Sequence, residues 1–255
     1  MRPLLRTWAT AWSKAAANRH GFWTGITLMT LNDVAWIVFW VLFFSRVGNV
    51  RGWDIDQIIA LFAVLTTSAG FVLGMLRNAR LIGPIITDGG LDAALSLPIP
   101  TLPYLLTRQV DSLFVGDMFF GVALFLLFGH PTPQRLAVFA FGVFSAVLIF
   151  TGFLVLVGSL SFFVGRNEAG DLGFQALLLF SSYPVDIFSG ATKIFLYAVV
   201  PAGFVTSVPA KLVTEFDLGW AAATLAVGLG LAGAGALTFN RGLRRYTSGA
   251  VWTRA

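Results

Sequence analysis

Three aspartates interrupt long apolar stretches of this sequence, and they are the residues best placed to do chemistry. Asp33 follows Asn32 near the middle of one stretch, and Asp111 and Asp117 lie in another. A carboxylate inside a membrane is costly unless it is paired, protonated or used to bind a ligand. Asp111 comes one helical turn after Arg108, so we expect a helix-end salt bridge there. For Asp33 and Asp117, both a functional role and a structural hydrogen bond to a neighbouring helix are open.

The residue types that most enzymes need are otherwise scarce. The chain has no cysteine and only two histidines, His20 and His130, which leaves little for a metal site or for His-based catalysis. No GxxxxGK[ST] loop is present, so we expect no ATP hydrolysis by this chain. Asp88 and Asp92 are similar to the paired aspartates of lipid phosphotransferases, but the arginine and further aspartates of such a two-metal site are missing. We therefore predict no catalytic residue, no metal and no cofactor in the chain itself.

The composition of the chain indicates the class of protein in which these residues lie. Of 255 residues, 57% are hydrophobic and only 11% are charged, and the mean hydropathy is +0.81. A soluble domain is about a quarter charged, so a soluble enzyme of this size could not cover its surface. The 25 Phe and 8 Trp also exclude a disordered chain. The sequence therefore predicts an integral membrane protein with one multi-span domain.

Six apolar stretches are long enough to be membrane spans, because a helix needs about 20 mostly apolar residues to cross the hydrocarbon. We predict an all-α integral membrane fold, a single transmembrane domain over residues 1–255. Its spans lie at about 22–45, 57–76, 104–128, 136–164, 168–184 and 218–239. Before them, residues 1–20 have the apolar and basic faces of an amphipathic helix that lies in the membrane interface.

The stretch 168–214 is apolar but irregular. Pro184, Gly190, Pro201 and Pro209 break it, and it is too long for one span and too short for two with a proper loop. We interpret it as the fifth span followed by re-entrant helices over about 185–210. Irregular backbone at membrane depth is tolerated only where it is buried in protein or lines a cavity, so the segment points to function. Two ordinary short helices are the alternative.

The basic residues predict the orientation. Of the 17 Lys and Arg, twelve fall on the side that holds both termini and five on the other side. The positive-inside rule then places both termini in the cytoplasm. The five on the outer side are Arg46, Arg51, Arg135, Lys193 and Lys211. The net charge of +5 follows from topology and contact with membrane lipid, and no nucleic-acid partner is needed.

The longest cytoplasmic loop, residues 77–103, contains a punctuated segment. Asp88 can cap a short helix over about 89–97, and Pro98 stops it. That helix would place Leu91, Ala94 and Leu95 on one side and Asp92 on another. A short, proline-bounded helix on this face suits docking to a partner, whereas an ordinary connector would need no such punctuation.

Three stretches of the chain carry a resemblance to a known family. The first is Gly90-Leu91-Asp92 with Leu95 and Pro98, and the second is SYPVDIF at 182–188 followed by VPAGFV at 200–205 and Pro209-Ala210. The third is GLRRYTSG at 242–249. In this order they resemble the permease subunits of type-2 ABC exporters, in the branch of short bacterial subunits with six spans. Ser182 stands where that branch often has Arg.

The resemblance implies a dimer of permease subunits, of the same or of unlike chains, above two separate ABC ATPase subunits that bind ATP and magnesium. The helix 89–97 would be the coupling helix, with Asp88, Gly90, Leu91, Asp92, Leu95 and Pro98 as its functional residues. The substrate path would run between the two permease subunits, and the segment 185–210 would close its outer end. Localisation would be the bacterial inner membrane, and substrates associated with the branch include drug-like and toxic small molecules.

For the substrate path we predict a set of polar and aromatic residues from three spans: Asn32, Asp33, Trp36, Thr66, Thr67, Tyr183 and Pro184. Such a lining suits an amphipathic or cationic molecule, with Asp33 as its counter-charge. The main alternative is an ATP-independent, proton-coupled transporter in which Asp33 and Asp117 relay protons. A lipid-modifying enzyme using Asp88 and Asp92 and a membrane scaffold are further alternatives.

Overall fold

The computed structural model describes residues 2–247, and all the long elements of secondary structure among them are α-helices. We number thirteen α-helices in chain order. They are α1 Arg2–Ala17, α2 Arg19–Val47, α3 Ile55–Gly70, α4 Ile82–Thr87, α5 Asp92–Leu95, α6 Thr101–Thr107, α7 Ser112–Phe128, α8 Pro133–Ser159, α9 Ser161–Val164, α10 Ala169–Ser181, α11 Gly190–Ala198, α12 Val208–Thr214 and α13 Leu218–Leu243. Within residues 2–247 no β-strand forms, and the only β-type pairing is an isolated bridge between Val50 and Trp53.

Short irregular turns extend or join several helices. A π-helical turn, Phe71–Met75, continues α3, and another, Gly203–Ser207, leads into α12. Single 3₁₀ turns form at Arg77–Ala79 and Val185–Ile187. Where the interface helix is expected over residues 1–20, a helix forms as α1, and it ends at Ala17 because Asn18 caps the start of α2 by accepting a hydrogen bond from the Gly21 amide.

The membrane-spanning capacity agrees with a multi-pass protein. Within the described part of the chain, four helical stretches are long and apolar enough to cross a membrane: Arg19–Val47, Ile55–Met75, Pro133–Val164 and Leu218–Leu243. Two bent pairs, α6 with α7 and α11 with α12, raise the count to six if each forms one span. Their bends are 83° and 74°.

Two predicted spans differ from the helices observed. The span expected at 104–128 is broken into α6 and α7, because the Asp111 side chain accepts from the Leu113 amide and so caps a new helix. The span expected at 168–184 is α10, whose 13 residues rise about 20 Å, short of the roughly 30 Å of hydrocarbon. The segment expected to be re-entrant, 185–210, contains α11 and the start of α12, and the bent pair that they form continues to Thr214.

The main core surrounds α3, whose residues are almost all buried among α7, α8 and α12. Helices α8 and α13 pack closely through small residues, since a Cβ at Gly152 would lie 2.5 Å from the Ala232 nitrogen. By contrast, α2 lies at the edge and buries only Gly25, Asp33, Trp40 and Phe44. We call the two ends of the molecule the Asp186 end and the Asp92 end, after an aspartate at each.

Candidate functional site

The buried aspartates Asp33 and Asp117 lie between α2 and α7. Their side chains are on the inward faces of these helices, with relative exposures of 5% and 7%. Helix α2 runs close to α7, since a Cβ at Gly116 would lie 3.1 Å from the Cα atom of Ile26. Among the described residues, neither aspartate forms an ion pair, and Asp33 Oδ2 and Asp117 Oδ1 have no hydrogen-bond partner.

Two threonines of α3 lie beside this pair. The Thr66 hydroxyl donates to the Phe62 carbonyl of its own helix at 2.8 Å, so its hydrogen bond is satisfied locally. The Thr67 hydroxyl is buried without a partner and contacts α7 at Gly121, one helical turn beyond Asp117. The three helices thus enclose unpartnered oxygens that can hold a proton or a cationic group. No cluster of three or more metal-ligating side chains occurs in residues 2–247.

The predicted path residues occupy three different places. Asp33, Thr66 and Thr67 lie in the interior described above, whereas Asn32 and Trp36 are exposed on α2, where one side of the Trp36 ring packs against Phe62 of α3. This division follows from helical geometry, because positions i and i+4 share a face and Asp33 lies about 100° away from Asn32. Tyr183 and the buried Pro184 lie at the Asp186 end, where the Tyr183 ring packs edge-on against Trp40 at 6.1 Å.

Asp186 is the centre of a charged cluster that joins four segments at its end of the molecule. Its carboxylate accepts from Lys193 Nζ at 2.7 Å, from Lys211 Nζ at 2.6 Å and from Trp53 Nε1 at 3.0 Å. Arg51 donates to the backbone carbonyl of Asp186 at 3.2 Å. The segments joined are the loop between α2 and α3, the 3₁₀ turn Val185–Ile187, and the helices α11 and α12. The cluster holds the irregular segment 185–210 against the start of α3.

The charge balance of this cluster favours the ionised carboxylate. Partial burial raises the pKa of Asp186, but the hydrogen bonds from Lys193, Lys211 and Trp53 outweigh burial and lower its pKa from 3.8 to about 2. Sequence reasoning did not select this cluster as a site and noted Asp186 only within a motif. The sequence did contain a signal for this cluster. Arg51, Lys193 and Lys211 are three of the five basic residues expected on the outer side of the membrane, where the positive-inside rule predicts few.

Further hydrogen bonds anchor the same segment. The Ser207 hydroxyl accepts from the Val185 amide at 2.9 Å, and the Thr206 hydroxyl donates to the Ser181 carbonyl at 2.8 Å. Both side chains are fully or almost fully buried. The π-helical turn Gly203–Ser207 therefore binds the end of α10, so the break at Tyr183-Pro184 is a rigid corner rather than a loose loop.

The loop predicted to hold the coupling helix has a different structure from the one expected over 89–97. Two short helices form, α4 and α5, and the second has only four residues. Gly89 has a left-handed φ of 75°, and the Gly90 amide donates to the Ile85 carbonyl, so these glycines close the end of α4. Asp88 accordingly ends α4 and does not cap the helix that follows.

The apolar residues of this loop also divide differently from the expected single face. Leu91 and Ala94 are fully buried in a second core with Val155 of α8 and Phe239 of α13, whereas Leu95 is 43% exposed. The Asp92 carboxylate accepts from the Tyr246 hydroxyl at 3.0 Å. Pro98 follows α5 in an exposed turn. The segment is therefore attached to α8 and α13 from inside while part of its apolar surface faces outward.

The expected salt bridge between Asp111 and Arg108 is not the contact that forms. Asp111 pairs with Arg77 at 3.4 Å while capping α7, and its amide donates to the Gly74 carbonyl at 2.8 Å. The fully buried Asn78, which sequence reasoning missed, donates to the Leu105 carbonyl at 2.7 Å. These contacts attach the bend between α6 and α7 to the end of α3. The prediction of Arg108 as the partner of Asp111 was wrong because it assumed one continuous helix, whereas the helix breaks here and Arg77 comes from another segment.

Comparison with known proteins gives one family. A family model described as ABC-2 family transporter protein matches residues 30–250, which is most of the chain. The match confirms the resemblance inferred from the motifs. Neither the curated proteins nor the solved structures include a match. The matched range covers α3 to α13 and most of α2, and so includes the buried aspartates, the Asp186 cluster and the loop with α4 and α5.

Proposed function

Because the chain belongs to the ABC-2 family of transporter proteins, a multi-pass membrane component of ABC transport, we propose that it is the permease subunit of an ABC exporter. The family associates in general with ABC ATPase subunits and is not itself catalytic. In our proposal two permease subunits, alike or unlike, enclose the path, and two ATPase subunits bind ATP and magnesium. The chain would lie in a bacterial inner membrane as six spans, with both termini in the cytoplasm.

The observation that supports coupling is the two-sided placement of α5 and its flanks. Leu91 and Ala94 pack into the second core with Val155 and Phe239, so a displacement of this segment would be transmitted to α8 and α13. Leu95 and Leu97 are 43% and 39% exposed and leave apolar surface for a partner. An anchored inner side with an exposed outer side is what a mechanical link between an ATPase and membrane helices requires.

A pull-down from native cells tests this link. We expect the tagged chain to bring down a stoichiometric ATPase, and the double variant Leu95→Asp/Leu97→Asp to lose it while keeping wild-type expression and thermal stability. Phe216→Asp, an equally exposed apolar residue in the loop at the Asp186 end, is the matched control and should retain the ATPase. Retention by the Leu95/Leu97 variant, or recovery of active chain with no ATPase, would overturn the proposal.

We also propose that the exported cargo is an amphipathic or cationic small molecule that pairs with Asp33 during transport. The support is the pair of buried carboxylates without a cationic partner in the described residues. Asp33→Asn should slow export of cationic cargoes at least tenfold and leave neutral ones within twofold. Asp111→Asn is the control, because it removes a carboxylate at the start of α7, the helix that packs against α2. Equal export of both cargo classes by Asp33→Asn would remove Asp33 from the path.

Energy coupling separates this proposal from an ATP-independent transporter. Export should stop when the ATPase is inactivated and should persist when an uncoupler collapses the pH gradient. Export by the chain alone that follows the pH gradient would instead favour proton relay by Asp33 and Asp117.

A further inference from the structure

The geometry points to a binding site for an anionic phospholipid in a cleft at the Asp92 end. The cleft has a volume of about 610 Å³, within the range of small-molecule sites. Its lining includes Ile86, Phe162, Phe163, Arg166, Arg245 and Tyr246. We call it the Arg166 cleft. This site is independent of which cargo the protein moves.

Both arginines of the cleft lie at the depth of lipid headgroups. The span that includes α8 and α9 ends at Val164, and Arg166 follows two residues later. The span formed by α13 ends at Leu243, and Arg245 likewise follows two residues later. Residues just beyond a span reach the interface, where phosphate groups are found. Two separate span ends thus place one guanidinium each on the same cleft.

The two guanidinium groups are available to an anion. At the same end, Arg77 and Arg80 pair with Asp111 and Asp171, but within residues 2–247 neither Arg166 nor Arg245 has a carboxylate partner. Arg245 lies over the Phe163 ring at 5.5 Å. That contact leaves the N–H groups of Arg245 without a hydrogen-bonded protein acceptor in the part of the chain that the structure describes. Two such groups can bind a phosphodiester by paired hydrogen bonds.

Apolar surface next to the cleft indicates an amphiphile rather than a small soluble anion. Leu160, Phe163 and Val164 are 40%, 44% and 67% exposed at the end of the span. Acyl chains would cover these residues while the headgroup enters the cleft. Asp88 also lines the cleft, so one acidic residue faces two arginines and the remaining charge is positive. A zwitterionic lipid adds a positive group and gains less from such a site.

The position of the cleft gives the lipid a role. One wall is formed by Ile86, Thr87 and Asp88 at the end of α4, just before α5, and the other by α9 and the residues that follow α9 and α13. A bound headgroup would connect these walls. We therefore expect the lipid to stabilise the loop of α4 and α5 in its observed position.

Lipid titration of the purified full chain, followed by native mass spectrometry and by thermal unfolding, tests the site. Phosphatidylglycerol should bind at least tenfold more tightly than phosphatidylcholine with the same acyl chains and should raise the unfolding temperature. Arg166→Gln/Arg245→Gln should remove this preference. Arg241→Gln/Arg244→Gln, which removes two exposed arginines of the same helix end outside the cleft, should keep it within twofold.

Each other outcome overturns the assignment. Equal binding of the two lipids to the unaltered chain would overturn it without any variant. Equal losses in both double variants would mean general surface charge. Stabilisation by inorganic phosphate or glycerophosphoglycerol equal to that by the lipid would mean a site for free phosphate compounds. Loss of the ATPase from the Arg166/Arg245 variant with lipid binding unchanged would assign the cleft to that protein instead.

Discussion

Replacing Asp186 by Asn tests whether the charged cluster stabilises the Asp186 end. The change keeps the shape of the side chain and an oxygen for Trp53 but removes the charge that faces Lys193 and Lys211. The lowering of the pKa from 3.8 to about 2 corresponds to about 2.5 kcal/mol of preference for the ionised form. Both lysines are more than 40% exposed, and water screens their charges. We therefore expect a loss of about 1–2 kcal/mol.

The assay is thermal unfolding of the purified chain in detergent, followed by circular dichroism. For a chain of this size, that loss lowers the unfolding temperature by about 2–8 °C. Glu215→Gln is the control at the same end, since Glu215 is exposed and its side chain forms no ion pair within residues 2–247. It should shift the unfolding temperature by less than about 1 °C.

The pH dependence gives a second, independent check. Because the pKa of Asp186 is lower in the folded chain, its contribution is complete above pH ~4 and is lost as the pH falls towards about 2. The difference in unfolding temperature between the wild type and Asp186→Asn should therefore shrink over that interval. Equal stability at neutral pH, or a difference that does not change with acidification, would refute the reasoning.

Three further predictions concern packing and polar anchors. Gly152→Ala should cost about 1–3 kcal/mol because its Cβ would meet the α13 backbone, while Gly230→Ala, with nothing within 4 Å, should be neutral; equal unfolding temperatures would contradict the observed contact. Asn78→Ala should cost about 1–3 kcal/mol by leaving the Leu105 carbonyl unpaired, against less than about 0.5 for the exposed Asn240→Ala in the same unfolding assay. Asp111→Ala should lower stability by about 1–2 kcal/mol, and Asp111→Ser, which can still cap α7, should recover most of that loss in the same assay; equal stability of the two variants would contradict the role of the cap.

Several elements could be predicted because their determinants are local. Four of the predicted spans correspond to helices that are long and apolar enough to cross a membrane, since about 20 apolar residues in sequence are visible without any tertiary contact. The irregular character of 185–210 was visible in its prolines. The family was visible in three short motifs and is confirmed by the match over residues 30–250.

Other elements could not be predicted because a local signal had two interpretations. Asp88 followed by two glycines reads equally as a helix start or a helix end, and the left-handed Gly89 ends α4. Asp111 was one turn from Arg108, but it pairs with Arg77, which is distant in sequence and close only after α3 packs on α7. The choice between such contacts depends on how helices approach each other.

By itself, the sequence determined that this is a helical membrane protein, which stretches are apolar enough to span, and which family it belongs to, because hydropathy and motifs are properties of contiguous residues. Only the tertiary structure decided that Asp33 faces inward beside Asp117 while Asn32 faces outward, and that Asp186 gathers Trp53, Lys193 and Lys211. It also decided that Arg166 and Arg245 share one cleft. The physical reason is that burial and charge pairing arise between segments that are far apart in the chain, and helix packing alone brings them together.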